Sequence, residues 1–250
     1  IPFIISFFFG LCAIFLRMKC QESPIFEAIR LQNKIIKRPV VSVCKQYAPS
    51  IFLISVLSGV LAVAIYLLIG YFPAYFIANL HMTLNQSMVV SFVGLFTLTL
   101  CVPLVGRLVD RVGAYKVFAV GAGCFLVGSY VIFDLLVRGG SISAMACVTL
   151  TAIFLSMIAA SILPIITAAF PANVRCSGVS VGYNISMSLF GGTTPLIAMM
   201  SCQYFGVETA PAGYLILSAF LSLLALYFLN KNNNSHKTAP FHLESFEMGR

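Results

Sequence analysis

Charged residues are scarce in this sequence. Asp, Glu, Lys and Arg make up 9% of its 250 residues and 60% are apolar, whereas a soluble domain carries about 25% charged residues. No charged residue occurs in 46–106, 139–174, 176–207 or 209–230. Each stretch holds one or two apolar runs of about 20 residues, the length that crosses a hydrocarbon core. The composition therefore excludes a water-soluble fold and predicts several membrane-spanning segments.

The sequence also lacks clusters of metal-binding or nucleophilic residues. Its eight cysteines lie apart, with no CxxC pair, and its three histidines are equally dispersed. Most of the cysteines lie inside apolar runs and are interpreted as small core residues. No catalytic residue, metal site or cofactor is expected, and an integral membrane enzyme is disfavoured.

The alternation of polar and apolar residues that marks the strands of a membrane barrel is absent as well. Because backbone groups in lipid must pair with one another, the apolar runs are predicted to be helices. The expected fold is all-α, a polytopic membrane helix bundle whose first helix is cut short at residue 1. The predicted spans are 1–16, 51–78, 88–105, 117–137, 144–170, 178–205 and 213–229.

Basic residues are distributed unequally between the predicted loops. Apart from Arg138, every Lys and Arg lies in 17–50, in 106–116, at Arg175 or after residue 229. Because basic loops are retained on the cytoplasmic side, these segments and the C-terminus are expected in the cytoplasm. The net charge of +8 is attributed to this topology, and no nucleic-acid partner is expected.

The order of these segments predicts the domain organisation. Residues 1–16 form a truncated helix, 17–50 a cytoplasmic interdomain loop, 51–229 a six-helix bundle and 230–250 a cytoplasmic tail. A span that begins without a start methionine or a preceding loop leads us to expect a fragment that lacks its N-terminal half. That missing half and membrane lipid are the expected macromolecular partners.

The segment 106–116, with the sequence GRLVDRVGAYK, carries the most specific motif. It resembles the Gly-x-x-x-Asp-Arg-x-Gly loop of the major facilitator superfamily, whose members have twelve helices in two halves. Its glycines would permit a tight reversal, and Asp110 could cap a helix N-terminus or pair with a neighbouring arginine. The resemblance implies a conformational latch at the cytoplasmic face. Its residues are Gly106, Arg107, Asp110, Arg111 and Gly113.

A second motif, FPANVRCSGVSVGYNISMSLFGGTTP, occupies residues 170–195. It resembles the segment around the eleventh helix of the metabolite:proton symporter family, which includes proline/betaine transporters and citrate carriers. Residues 1–26 resemble the end of that family's sixth helix. The resemblance implies a secondary active transporter in the inner membrane of a bacterium. It would import a small organic solute, such as proline, betaine or a carboxylate, with protons by alternating access.

Polar and helix-weakening residues align within the second motif. Asn184, Ser188, Gly191 and Pro195 recur on one face of a helix, and freed carbonyls at mid-membrane are tolerated only against protein or a wet cavity. A transport pathway would supply that cavity, and a kink packed against neighbouring helices is the alternative. The candidate pathway residues are Tyr66, Tyr71, Asn184, Ser188, Thr193 and Thr194, and Arg175 is expected to anchor the preceding loop.

Two of these candidates are tyrosines of the second predicted span. Tyr71 and Tyr75 share a helical face, so their rings could hold a quaternary ammonium by cation–π contact. Tyrosines near the end of a span also form interfacial belts. The belt is the interpretation favoured for Tyr75, and both remain open for Tyr66 and Tyr71.

Carboxylates are missing from the middle of every predicted span. Because proton relays in membranes are built from such groups, the coupling carboxylate is expected in the missing half. Two further interpretations stay open for the chain, an inactive remnant and a transporter-like membrane sensor.

Overall fold

Six long helices dominate the computed structural model, which describes residues 2–19 and 39–238. They follow two shorter ones, α1 (Pro2–Lys19) and α2 (Pro39–Gln46). The six are α3 (Ala48–Ala78), α4 (Leu84–Val112), α5 (Ala114–Val137), α6 (Ser141–Ala168), α7 (Arg175–Phe205) and α8 (Pro211–Thr238). All six are long and apolar enough to cross a membrane. The predicted all-α polytopic fold is therefore confirmed.

Two predicted segments fall partly outside the described residues. The expected interdomain loop 17–50 is described only at its two ends, where α1 continues to Lys19 and α2 begins at Pro39. The expected tail begins at residue 230, but α8 continues to Thr238. Residues 20–38 and 239–250 lie outside the described part of the chain.

The helices extend beyond the apolar runs at their charged ends. The predicted loop 106–116 is instead the end of α4 and the start of α5, which meet at Gly113 with φ of 99°. Glycine tolerates this backbone angle because it has no Cβ atom. Charged residues continue a helix outside the apolar slab, and hydropathy detects only the part inside it. The short loop predicted at 106–116 was wrong for that reason, since the connection is Gly113.

The turns between the helices lie at two ends of the bundle. Residues 79–83, 138–140 and 206–210 form one end, which we call the Gly139 end. Gly113 and residues 169–174 form the other, which we call the Gly113 end. The short connections make consecutive helices antiparallel neighbours.

The bundle packs around an aromatic and aliphatic interior. Helix α6 lies against α4 and α5, α8 lies against α5 and α3, and α3 lies against α7. Where α5 and α6 meet, a Cβ atom on Gly128 would lie 2.6 Å from the ring of Phe154. The largest fully buried side chains include Phe72, Phe76, Phe118, Phe125 and Phe133.

The six spans differ widely in burial. In its most apolar window α3 is 72% buried, whereas α7 is 22% and α4 is 11% buried. The described side chains of α1, from Phe7 to Lys19, are also exposed. The faces of α4 and α7 that point away from the bundle are therefore available to lipid or to another helical surface.

Candidate functional site

Helices α3 and α7 each contain a π-helical turn. The turns are Leu67–Tyr71 in α3 and Met187–Gly191 in α7. A proline follows each turn, Pro73 and Pro195 respectively, and proline has no N–H to donate to the carbonyl four residues earlier. Turns of this kind are rare in proteins, and those that occur are often found at functional sites. The pair therefore marks the candidate site.

Each π turn lies against the segment of the other helix that adjoins that helix's own π turn. Met187–Gly191 packs against Gly59–Tyr66, and Leu67–Tyr71 packs against Gly192–Phe205. A Cβ atom on Gly191 would lie 2.7 Å from Cε2 of Tyr66, and one on Gly70 would lie 3.5 Å from Cγ of Pro195. A side chain at Gly191 would collide with the tyrosine ring, so only glycine allows this approach. The half-buried Tyr66 therefore lies directly against the irregular backbone of α7.

A second contact joins α3 and α7 nearer the Gly113 end. The Ser55 hydroxyl is shared between the Gly182 carbonyl of α7 and the Ile51 carbonyl of its own helix, each at 2.9 Å. A Cβ atom on Gly182 would lie 2.9 Å from Cγ2 of Ile54. Close packing of this kind, reinforced by a hydroxyl, is how helices associate in membranes.

Helix α8 supports the π turn of α7. The Tyr214 hydroxyl donates to the Phe190 carbonyl at 3.3 Å, and the Thr194 hydroxyl donates to the same oxygen. A carbonyl displaced from the regular α-helical pattern thus obtains donors from two side chains. These bonds stabilise the irregular turn.

An apolar groove of about 330 Å³ lies between α3 and α7. Its walls come from both helices and from the end of α2, and they include Cys44, Phe52, Val56, Val181, Ile185 and Phe190. The exposed Asn184 and Ser188 lie on α7, interleaved in sequence with the groove residues. The groove itself is therefore apolar, and neither Asn184 nor Ser188 is among its lining residues.

The predicted pathway residues separate by exposure. Asn184, Ser188 and Thr193 are exposed, whereas Tyr71 and Thr194 are buried. Asn184 donates to the Ser180 carbonyl at 2.7 Å, and Thr193 donates to the Leu189 carbonyl. Both bonds stay within α7. Because the side chains are exposed and bond only to their own helix, they lie on the outer face of the bundle.

Tyr71 and Tyr75 belong to a polar cluster at the Gly139 end. The Tyr75 hydroxyl donates to the Glu208 carboxylate, and the Tyr71 hydroxyl lies 3.5 Å from Sγ of Cys202. The ring centroids are 5.8 Å apart, and each side chain is only 5% exposed. The interfacial belt favoured for Tyr75 was wrong, because its ring turns inward to reach Glu208.

The predicted latch residues lie together at the Gly113 end. Arg107, Asp110 and Arg111 are exposed on the last turns of α4, with Gly106 in the same helix and Gly113 at its end. The expected cap was wrong, because Asp110 belongs to the end of α4 and not to a helix N-terminus. In the part of the chain that the structure describes, the single ion pair is Arg138 with Asp134 at 2.6 Å.

Arg175 bridges the turn that precedes α7. Its Nε donates to the Phe170 carbonyl at 3.3 Å. The bond closes 170–174 onto the first residue of α7, the position expected for an anchor of this loop.

The π turn in α3 was missed by sequence reasoning, although a signal was present. Gly70 precedes Pro73 by the same spacing as Gly192 precedes Pro195. A glycine leaves room around the backbone, and the proline removes a donor. The repeated Gly-x-x-Pro spacing therefore pointed to both irregular turns.

These features define a multi-pass membrane protein whose two irregular spans line an apolar groove. Within residues 2–19 and 39–238, no group of three or more His, Cys, Asp or Glu could hold a metal ion. A family model for the Major Facilitator Superfamily matches residues 52–247. The chain belongs to this superfamily, and the family resemblance of the two motifs is confirmed.

Three curated relatives are named as transporters or symporters. A Staphylococcus aureus protein provisionally named a proline/betaine transporter is 30% identical over 241 residues, 92% of this chain and 50% of the relative. The Corynebacterium glutamicum ectoine/proline transporter ProP is 28% identical over 255 residues, 96% of this chain and 50% of its own length. A Klebsiella pneumoniae citrate-proton symporter is 25% identical over 234 residues, 92% of this chain and 52% of its own length.

The chain spans about half the length of the curated relatives it matches. No solved structure matches it. The family model shows the superfamily of the chain, and the three relatives are proteins to which it is similar over this length.

Proposed function

We propose that this chain forms the C-terminal six-helix bundle of a proton-coupled importer of a small organic solute. A second bundle, supplied by the rest of the carrier, would face α4 and α7 and enclose the solute between the two. Rocking of the bundles about this site would give alternating access. The observation that carries the proposal is that the packed helices α3 and α7 each contain a π turn and that α7 carries exposed polar residues.

Exposed polar groups on a membrane-spanning helix support a partner bundle. Asn184, Ser188 and Thr193 would be costly against lipid, since intramembrane polar groups are placed toward a bundle interior or a wet cavity. In this bundle they point outward. A facing bundle would turn the same surface into a cavity wall.

The proposed solute is a zwitterion of the proline or betaine type. In the described spans, Lys and Arg occur only near the ends, so the middle of this bundle offers no cation to hold a polycarboxylate. Hydroxyls, the Asn184 amide and the Tyr66 ring are compatible with a compact ammonium compound. Citrate, the solute in the name of one relative, is the competing candidate.

Proton coupling and the latch are assigned to contacts between the bundles. Asp110, Asp134 and Glu208 all lie near the ends of the described helices, so the coupling carboxylate is proposed to lie in the facing bundle. The exposed Arg107, Asp110 and Arg111 would pair with that bundle in one of the two conformations.

The orientation is proposed from the distribution of basic residues, with the Gly113 end and the C-terminus in the cytoplasm of a bacterium. A periplasmic phosphatase fused after Leu84, at the Gly139 end, should be active. An inactive fusion that is well expressed would reverse the orientation.

Uptake by the natural protein that contains this chain tests the proposed function. Cells without their own osmolyte carriers would be given radiolabelled proline, glycine betaine, ectoine or citrate, with and without a protonophore. We expect saturable uptake of at least one zwitterion that the protonophore abolishes. Uptake of citrate alone would show that the solute is a carboxylate and not a zwitterion. No uptake by protein that reaches the membrane would favour a sensor or an inactive remnant.

A further inference from the structure

A hydroxyl of α8 lies within the backbone ladder of α3. The Val60 amide donates to Oγ of Ser222 at 3.3 Å, and the same hydroxyl donates to the Val56 carbonyl at 3.0 Å. Val56 and Val60 are four residues apart, so an uninterrupted α-helix would join this carbonyl and this amide directly. Ser222 therefore bridges two groups that normally bond each other.

The regular helix is interrupted at this point. The segment Ala48–Leu57 ends here, Gly59–Tyr66 begins, and Ser58 between them is a turn residue. A side chain that enters the i→i−4 ladder is a recognised cause of a sharp kink. The break also contains the pair Ser58–Gly59, and Gly/Ser pairs are another recognised cause of a kink. Ser222 and this pair together account for a break that neither proline nor a π turn explains.

Ser222 differs from two other buried hydroxyl residues, Ser218 and Thr151, in the helix to which it bonds. Ser218, one turn earlier on α8, donates to the Leu215 carbonyl of its own helix at 2.8 Å, and Thr151 likewise donates to the Cys147 carbonyl at 2.8 Å. Both described bonds of Ser222 cross to α3. The Ser222 hydroxyl therefore does not bond to a carbonyl of its own helix, as the hydroxyls of Ser218 and Thr151 do.

The break divides α3 into two segments with different attachments to α7. On one side, Ser55 holds Ala48–Leu57 to the Gly182 carbonyl. On the other side, a Cβ atom on Gly59 would lie 3.6 Å from the Phe190 ring, and the segment continues to Tyr66 at the π turn. Independent attachment on the two sides allows the segments to move separately.

Two buried hydroxyls near the break are left without partners. Within the described residues, Oγ of Ser58 on α3 and Oγ of Ser186 on α7 have no hydrogen bond, and both side chains are fully buried. An unpaired buried hydroxyl is costly and calls for an explanation. A second arrangement of α3, in which these groups find acceptors, would explain both.

We propose that Ser222 is a positioning residue for transport, because its hydroxyl maintains a hinge at Ser58. The segment from Gly59 to Ala78, which carries Tyr66 and Tyr71, would tilt about this hinge against Ala48–Leu57. Ser222 itself touches no solute and acts through α3. The inference rests on the proposed function of the bundle as part of a transporter.

The substitution Ser222→Ala removes the bridging oxygen and keeps the Cβ atom. The long bond from the Val60 amide to this hydroxyl is then replaced by a direct bond to the Val56 carbonyl within a continuous helix, so hydrogen exchange at Val60 should slow roughly fivefold. Turnover of the proposed solute should fall roughly tenfold, because α3 would no longer bend at Ser58. The exchange would be measured on the natural protein in detergent, and turnover per folded molecule in cells.

Two variants serve as controls. Ser218→Ala makes the same chemical change one turn away and should alter neither exchange at Val60 nor turnover. Ser222→Thr keeps the hydroxyl and should restore most of the wild-type turnover. A role limited to packing would instead change the folded amount in the Ser222→Ala variant and leave turnover per folded molecule intact.

The exchange measurement needs no solute, so it separates this inference from the proposed function. Unchanged or faster exchange at Val60 in the Ser222→Ala variant would overturn the inference, whatever the uptake result. Slower exchange with normal turnover would also overturn it, because the hinge would then be dispensable. Absence of uptake by the wild type would reject the proposed function, and with it the transport role of Ser222.

Discussion

The α3–α7 pair and the α5–α6 pair are both closely packed, but their backbones differ. Gly191 lies against Tyr66 in the first pair, and Gly128 lies against Phe154 in the second. Helices α5 and α6 are nonetheless continuous, whereas α3 and α7 each contain a π turn. Close packing is therefore compatible with both a regular and an irregular backbone.

Proline does not by itself explain the difference. Pro164 lies inside the continuous α6 and Pro103 inside the continuous α4. The residues three positions before them are Ser161 and Leu100, whereas glycine occupies that position before Pro73 and Pro195. A glycine combined with a proline marks the irregular turns. We therefore expect the regular helices α5 and α6 to keep their shape during transport and the irregular pair α3–α7 to change shape.

The largest effect should follow from a methyl group at the contact of the irregular pair. In Gly191→Ala, the new Cβ atom would lie 2.7 Å from the Tyr66 ring and overpacking should cost about 1–3 kcal/mol. Because the ring must leave the π turn, we expect uptake per folded molecule to fall roughly tenfold or more. Radiolabelled uptake and fluorescence-detected size exclusion would measure activity and folded amount.

Two glycine variants test whether this effect is specific to the irregular pair. Gly128→Ala creates a similar collision with Phe154 in the regular pair and should lower the folded amount with near-normal uptake per molecule. Gly123→Ala, in the continuous α5, meets no atom within 4 Å and should behave like the wild type. Equal losses of uptake per molecule in the Gly191 and Gly128 variants would remove the functional distinction between the pairs.

An intermediate effect is expected at the Gly113 end of the regular part. Asp110→Asn removes a charge with little change in size and should reduce uptake several-fold, because an interbundle ion pair would be lost. Membrane abundance should stay normal, since Asp110 is exposed at the end of α4. Immunoblotting and uptake in the same cells would measure both quantities.

Asp134→Asn is the matched control for this change. Asp134 pairs with Arg138 at the opposite end of the bundle, and an exposed pair of this spacing contributes only about 0.3–0.5 kcal/mol. Its uptake should remain close to that of the wild type. Equal uptake in the two variants would reduce Asp110 to a structural residue at a helix end.

The smallest effect should come from the polar cluster at the Gly139 end. Tyr75→Phe removes the donor to Glu208 and should lower stability by about 1 kcal/mol, the contribution of one hydrogen bond. Thermal unfolding in detergent would detect the shift. Tyr204→Phe, at an 86% exposed position, is the control, and an equal shift in both variants would show that the bond to Glu208 contributes nothing.

The spans could be predicted from the sequence because membrane insertion depends on apolar length. The helix ends could not, since charged residues such as those around Asp110 continue a helix beyond the apolar slab. Arg175 and the weak point near Pro195 were also predictable from local motifs. The bridging role of Ser222 was not, because it depends on a contact with Val56 and Val60 that is distant in sequence.

The accessibility of Asn184 and Ser188 to solute tests the central claim most directly. Each would be replaced by cysteine in the natural protein after removal of its native cysteines, with the buried Thr194 as control position. A small water-soluble thiol reagent should modify the cysteines at 184 and 188 but not at 194, and bound solute should slow both reactions. If a functional carrier leaves 184 and 188 unmodified, this face of α7 packs against protein and the assignment of the pathway is contradicted.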